Sequence, residues 1–216
     1  MRGQTAGRVG ALALAAALAS CGGEDYRGIH NLASSGTTLV CFGDSLTQGV
    51  GAGQGEDFPS LLAAALPIPV VNAGVAGETT GDGLRRLERD VLSRDPRLVM
   101  VFFGGNDFLR RVPPEETRRN LGEMIERIQR AGAMVILVGL KAGFFTDETG
   151  PLYEAVARGR GVLHIPDALA GILSDPRLKN DAVHPNAAGY QRLADRLLTH
   201  LRPLLEAAAR ARRRQA

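Results

Sequence analysis

Val40-Cys41-Phe42-Gly43-Asp44-Ser45-Leu46-Thr47-Gln48-Gly49 is the stretch whose reading decides the fold. A strand-like run from Thr38 to Phe42 stops abruptly at a short polar turn bounded by glycine. Such a run suits a buried parallel strand, and open α/β sheets place their chemistry at the C-terminal ends of such strands. A serine delivered there by a tight turn presents its hydroxyl at the sheet edge. Whether Ser45 is a nucleophile depends on the chain supplying a base, an orienting acid and donors for an oxyanion.

Downstream, apolar runs alternate with helical patterns. Strands are expected at Leu39–Phe42, Pro69–Val71, Leu98–Phe103, Met134–Leu140 and Val162–Ile165. Between and after them, helices are expected near 58–66, 79–92, 113–132, 151–158 and 186–205. Strands separated by helices of this length imply right-handed βαβ units around a parallel sheet. The fold class is therefore α/β, a three-layer α/β/α sandwich with a five-stranded parallel sheet of flavodoxin-like type. The strand order is not displayed by the sequence.

At 216 residues with 44% apolar content, the chain is long enough for one sizeable core and short for two domains. Its net charge of +3 is too weak to argue for nucleic acid. The basic excess gathers at the two ends. Arg210, Arg212, Arg213 and Arg214 make a basic C-terminal tail, 209–216, expected to be solvated. Contact with anionic phospholipid headgroups is its functional alternative.

Arg2 and Arg8 precede an apolar run, Val9 to Ala19, which is too short to span a membrane and is followed by Ser20-Cys21-Gly22-Gly23. Leu18-Ala19-Ser20-Cys21 resembles the lipobox of bacterial lipoproteins. The resemblance implies a signal peptide over 1–20, lipidation of Cys21, and a bacterial cell-envelope protein held to a membrane by that lipid. Residues 21–36 are polar and rich in small residues, and are expected to be a tether to a domain at 37–208. With Cys21 lipidated, Cys41 has no disulfide partner and is expected to be a small buried hydrophobe.

Each expected strand end finishes in a polar or glycine-rich turn. These are Gly43-Asp44-Ser45-Leu46, Asn72-Ala73-Gly74-Val75-Ala76-Gly77, Gly104-Gly105-Asn106-Asp107, and far downstream Asp181-Ala182-Val183-His184-Pro185. Together, and in this order, they resemble the four motif blocks of the GDSL or SGNH hydrolases. The wording is most similar to the bacterial arylesterase and lysophospholipase branch, which includes acyl-CoA thioesterases. A serine becomes a competent nucleophile only when a base takes its proton, a role that falls to His184. Asp181, three residues earlier, is near enough for a local turn to aim its carboxylate at one ring nitrogen. The resemblance further implies an oxyanion hole made of the backbone N–H groups of Ser45 and Gly77 and the side-chain amide of Asn106. Asp44 and Asp107 are expected to stabilise turns, and His30, His164 and His200 lack this context. No clustered ligand spacing suggests a metal, and no cofactor is implied.

The expected activity is that of a serine esterase acting on small acyl or aryl esters, thioesters or lysophospholipids. A carbohydrate deacetylase, an acyltransferase and a non-catalytic binding lipoprotein are the rival readings. Lys141 to Tyr153 is expected to be a specificity loop, with Phe144 and Phe145 as candidate acyl-pocket residues.

Overall fold

The computed structural model describes residues 26–140 and 149–215. The expected signal peptide, Cys21 and the Phe144-Phe145 pair lie outside the described residues. Five parallel strands form one sheet: β1 (Thr38–Gly43), β2 (Val70–Gly74), β3 (Pro96–Phe102), β4 (Met134–Val138) and β5 (Leu163–Ile165), in the order β2-β1-β3-β4-β5. Each strand lies within about two residues of its expected position at most ends, and β2 runs on to Gly74. Apart from Thr38 and Arg97 at their starts, the central strands are apolar on both faces and buried, as a sheet covered by two helical layers requires.

The helices are α1 (Ser45–Gln48), α2 (Phe58–Ala65), α3 (Thr80–Asp90), α4 (Gly105–Leu109), α5 (Pro114–Arg130), α6 (Thr149–Ala157) and α7 (Ala187–Gln215). The chain steps one way from β1 to β2, then reverses across β1 to β3 and continues to β5. Right-handed crossovers running in opposite directions lie on opposite faces of a sheet. Accordingly α2 packs with α7 on one side, while α3, α5 and α6 pack together on the other. The reversal leaves a crevice beyond the C-terminal ends of β1 and β3, where an open sheet of this order receives its ligand.

The structure corrects three expectations. The described part of the supposed tether, 26–36, is seated on the body of the molecule. Tyr26 is buried, and the Asn31 amide donates to the carbonyls of Gln129 (2.8 Å) and Ala133 (3.0 Å). A short segment held by Tyr26, Ile29 and Leu32 against the core and by one well-placed amide carries no sustained periodic signal, so composition alone misreads it. At the other end, α7 does not stop near Leu205, and residues 209–215 of the basic tail continue it as helix with their arginines exposed. The helix runs to Gln215, because Glu206-Ala207-Ala208-Ala209-Arg210 are strong helix formers and Ala208 is buried. Thirdly, the short helices α1 and α4 begin directly at the motif turns, where the sequence displays only polar turns. Cys41 is buried as expected, and burial together with the Asp57 charge pushes its thiol far up, so it is an inert core residue.

Candidate active site

Ser45 is the first residue of α1, so the strand-to-helix turn itself sets its direction. Asp44 caps that helix by accepting from the Leu46 N–H at 3.0 Å, and Gly49 closes it in the left-handed conformation. The hydroxyl of Ser45 lies 2.9 Å from His184 Nε2, although 139 positions separate them. The distance is that of a good hydrogen bond.

His184 is held by a compact local turn. The Asp181 carboxylate accepts from the N–H groups of Val183 and His184, both at 2.9 Å, and its Oδ2 lies 2.8 Å from His184 Nδ1. The His184 carbonyl in turn accepts from Asn180, and Asn186 donates to the Arg177 carbonyl, tying this turn to the start of α7. An Asp bonded to the backbone two and three residues on forms its turn from sequence alone. With Nδ1–H given to the carboxylate, Nε2 is the acceptor for the serine proton. Burial alone would raise the Asp181 carboxyl, but the Val183 N–H, the His184 ring and the His184 N–H outweigh it and hold it at about 2.

Gly77 stands in the left-handed region, φ +80°, at the crest of the turn after β2. Two side chains grip that turn: Gln48 Oε1 accepts from the Ala76 N–H (2.6 Å), and Arg110 donates to the Gly77 carbonyl (2.7 Å). Neither the Ser45 nor the Gly77 N–H has an acceptor among the described residues. Asn106 is near the start of α4. Its Nδ2 donates to the Glu78 carbonyl (2.9 Å) and to Asp44 Oδ2 (3.2 Å), so both amide hydrogens are engaged in this state. Ser45, Gly77, Asn106 and His184 line one cavity of about 210 Å³, whose other walls include Leu46, Val50 and Leu109.

All five residues expected at this site therefore meet at one edge of the sheet, and Cys21 lies outside the described residues. Several supporting groups were not expected. Asp44 does more than stabilise its turn, since it also holds the Asn106 amide. Burial pushes its carboxyl up; the Leu46 N–H and His184 partly offset this and Asp107 adds to it, leaving it at about 7. Asp107, also buried, accepts from the Thr80 N–H and from the hydroxyls of Thr80 and Thr117, joining α3, α4 and α5. Arg86 is buried over the Phe42 ring, pairs with Glu78, and donates to the Gly43 carbonyl at 3.0 Å. Tyr153 donates to the Phe103 carbonyl at 2.5 Å, so this end of the expected specificity loop is a buried brace. Gln48 and Arg110 are adjacent to the motifs and carried a weak signal; Arg86 and Tyr153 carried none.

Comparison with known proteins agrees with this architecture. Residues 41–192 match the GDSL-like Lipase/Acylhydrolase family, and the chain belongs to it. Esterase TesA of Pseudomonas aeruginosa is 30% identical over 179 residues, covering 78% of this chain and 89% of that protein. Thioesterase 1/protease 1/lysophospholipase L1 of Escherichia coli is 29% identical over 181 residues, covering 80% and 87%. A crystal structure of TesA superposes with a TM-score of 0.72 at 30% identity, over 78% of this chain and 99% of its own. Family and relatives make the chain a hydrolase of ester substrates.

Proposed function

We propose that the protein is a serine esterase working through an acyl-enzyme, with Ser45 as nucleophile, His184 as general base and acid, and Asp181 orienting the ring. The observation that carries this reading is the unbroken line Ser45 Oγ, His184 Nε2, His184 Nδ1, Asp181 Oδ2, with steps of 2.9 and 2.8 Å across its two hydrogen bonds. Ser45 Oγ bonds to the acyl carbon as its proton passes to Nε2. The negative oxygen that results faces the N–H groups of Ser45 and Gly77 and the Asn106 amide. His184 then returns the proton to the departing alcohol or thiol oxygen or sulfur. Water, giving a proton to the same nitrogen, attacks the acyl carbon; the acyl–Oγ bond then breaks as Nε2 passes that proton to Ser45 Oγ, freeing the acid and restoring the hydroxyl.

The cavity favours apolar acyl or aryl groups of modest size. It is small and walled by Leu46, Val50 and Leu109; Leu109, at the end of α4, is 54% exposed, and Val75, on the turn after β2, is 41% exposed. Small acyl and aryl esters, thioesters and lysophospholipids are the substrates that fit; the E. coli relative's name carries the last two. A fluorophosphonate probe is expected to label the native chain and not Ser45→Ala. Equal labelling of both would refute the nucleophile.

We also propose that Cys21 is lipidated and that the protein is held at a bacterial envelope membrane, on the strength of Leu18-Ala19-Ser20-Cys21. Metabolic labelling with radioactive palmitate is expected to mark the native chain; label persisting in Cys21→Ala would sink this assignment.

A further inference from the structure

In a parallel sheet the two edges are chemically distinct. The C-terminal edge holds Ser45, Gly77 and Asn106. α7 starts just after His184 at that edge and runs back along the sheet for 29 residues, roughly 43 Å. Its end lies at the opposite edge, where Ala211 and Gln215 share a surface hollow with residues 31–35 and Gly132. The last turns of α7 and the point where the chain enters the folded body are therefore neighbours, on the far side of the molecule from the cleft.

That far edge carries more cations than acids, with the Glu206 carboxylate standing among its arginines. Arg210 has a long pairing with Glu206 (3.7 Å), but the exposed Arg212, Arg213 and Arg214 have no carboxylate partner among the described residues. Cations at a helix C-terminus complement its dipole, which accounts for those three in part. It does not account for Arg97 and Arg202, which come from the start of β3 and from two turns or more up the helix. These two flank a groove of about 360 Å³ walled by Leu66, Pro67, Ile68 and Leu205. Arg97 Nε is buried with no hydrogen-bond partner, and burial, then the nearby charge of Arg212, pushes its guanidinium down. Like charges from separate elements are thus crowded around an apolar strip.

We propose that this edge docks on an anionic phospholipid surface. Arg97, Arg202 and Arg212 to Arg214 meet the headgroup phosphates, and the strip of Pro67, Ile68 and Leu205, backed by the buried Leu66, meets the acyl boundary. The catalytic cleft is then held facing away from that bilayer, open to substrates arriving through water. An apolar groove between cations fits an amphiphilic surface better than a nucleic acid, whose backbone offers nothing to the strip. The inference rests on charge and topology alone and stands apart from the esterase reading and from lipidation at Cys21.

The test uses the full chain carrying Cys21→Ala, so that no lipid contributes, with vesicles of phosphatidylglycerol mixed into phosphatidylcholine or of phosphatidylcholine alone. Reversal of Arg212, Arg213 and Arg214 to Glu is expected to weaken binding to the anionic vesicles by at least about 100-fold, roughly fivefold for each arginine lost, while binding to neutral vesicles is unchanged. Circular dichroism confirms that the variant is folded. A fluorophore on Gln215→Cys is expected to be quenched by headgroup-labelled lipid and one on Val75→Cys to be spared, since Cys41 is buried and does not react. Equal affinity of native and reversed chains for anionic vesicles, stronger quenching at position 75, or RNA binding as tight as vesicle binding would each overturn the proposal.

Discussion

Ser45→Ala and His184→Ala are each expected to lower kcat on a nitrophenyl ester by about 10⁴- to 10⁶-fold, and the double variant is expected to lower it no further. In the proposed mechanism the two residues act in a single step. Without the imidazole the hydroxyl keeps its proton through the attack, and without the hydroxyl the imidazole has nothing to activate, so the second loss removes nothing more. The geometry makes the expectation sharp, since the 2.9 Å bond between them is the serine hydroxyl's one hydrogen bond among the described residues. A small residual rate from the oxyanion donors and from substrate binding should survive in all three variants. KM should change little, because neither side chain is needed to hold the acyl group against Leu46, Val50 and Leu109. Steady-state kinetics of the two single variants and the double variant are the measurement. Multiplying losses, which would mean that the two act independently, would contradict this mechanism.

Asp181→Asn is expected to cost about 10³- to 10⁴-fold in kcat while leaving the fold intact. The substituted amide oxygen still accepts from the Val183 and His184 N–H groups, so the local turn persists. Its NH₂, however, faces Nδ1, which must then become the acceptor; the ring proton moves to Nε2, and Ser45 loses its base. The pH dependence separates this from a structural effect. The folded-state carboxyl is held at about 2, below the unfolded value of about 3.9, so it stays charged throughout any working range. A depressed carboxyl contributes stability that is present above the unfolded value and lost as pH falls toward 2. Native melting temperature should therefore fall faster than that of Asp181→Asn on acidification below about pH 4. At neutral pH the two proteins should differ in rate far more than in stability. The half-exposed carboxylate keeps its stabilising share small.

How much of this was legible in the sequence differs from residue to residue. β4, the apolar run from Met134, needs no tertiary information to be read as buried strand, and neither does the alternation that makes the sheet parallel. The Asp181 turn is local as well: its carboxylate reaches the N–H groups two and three residues on. By contrast, the Tyr26–Asn31 segment contains no periodicity, and its attachment to Gln129 and Ala133 depends on carbonyls a hundred residues away. Arg86 reads as one charge among many on a polar helix. Only packing puts its guanidinium between the Phe42 ring and the Gly43 carbonyl.

By itself the sequence determined the class of fold and named five candidate residues, Ser45, Gly77, Asn106, Asp181 and His184, which the structure gathers at one edge of the sheet. Strand and helix periods are local, and each motif is a short turn whose residues satisfy one another. The tertiary structure alone decided that β1 lies between β2 and β3, which opens the crevice beside Ser45. It also set the 2.9 Å approach of His184, the engagement of Asn106 by Asp44 and Glu78, and the gathering of arginines at the edge farthest from the cleft. These are meetings between segments far apart in the chain. Their geometry follows from how the layers pack, which no local pattern encodes.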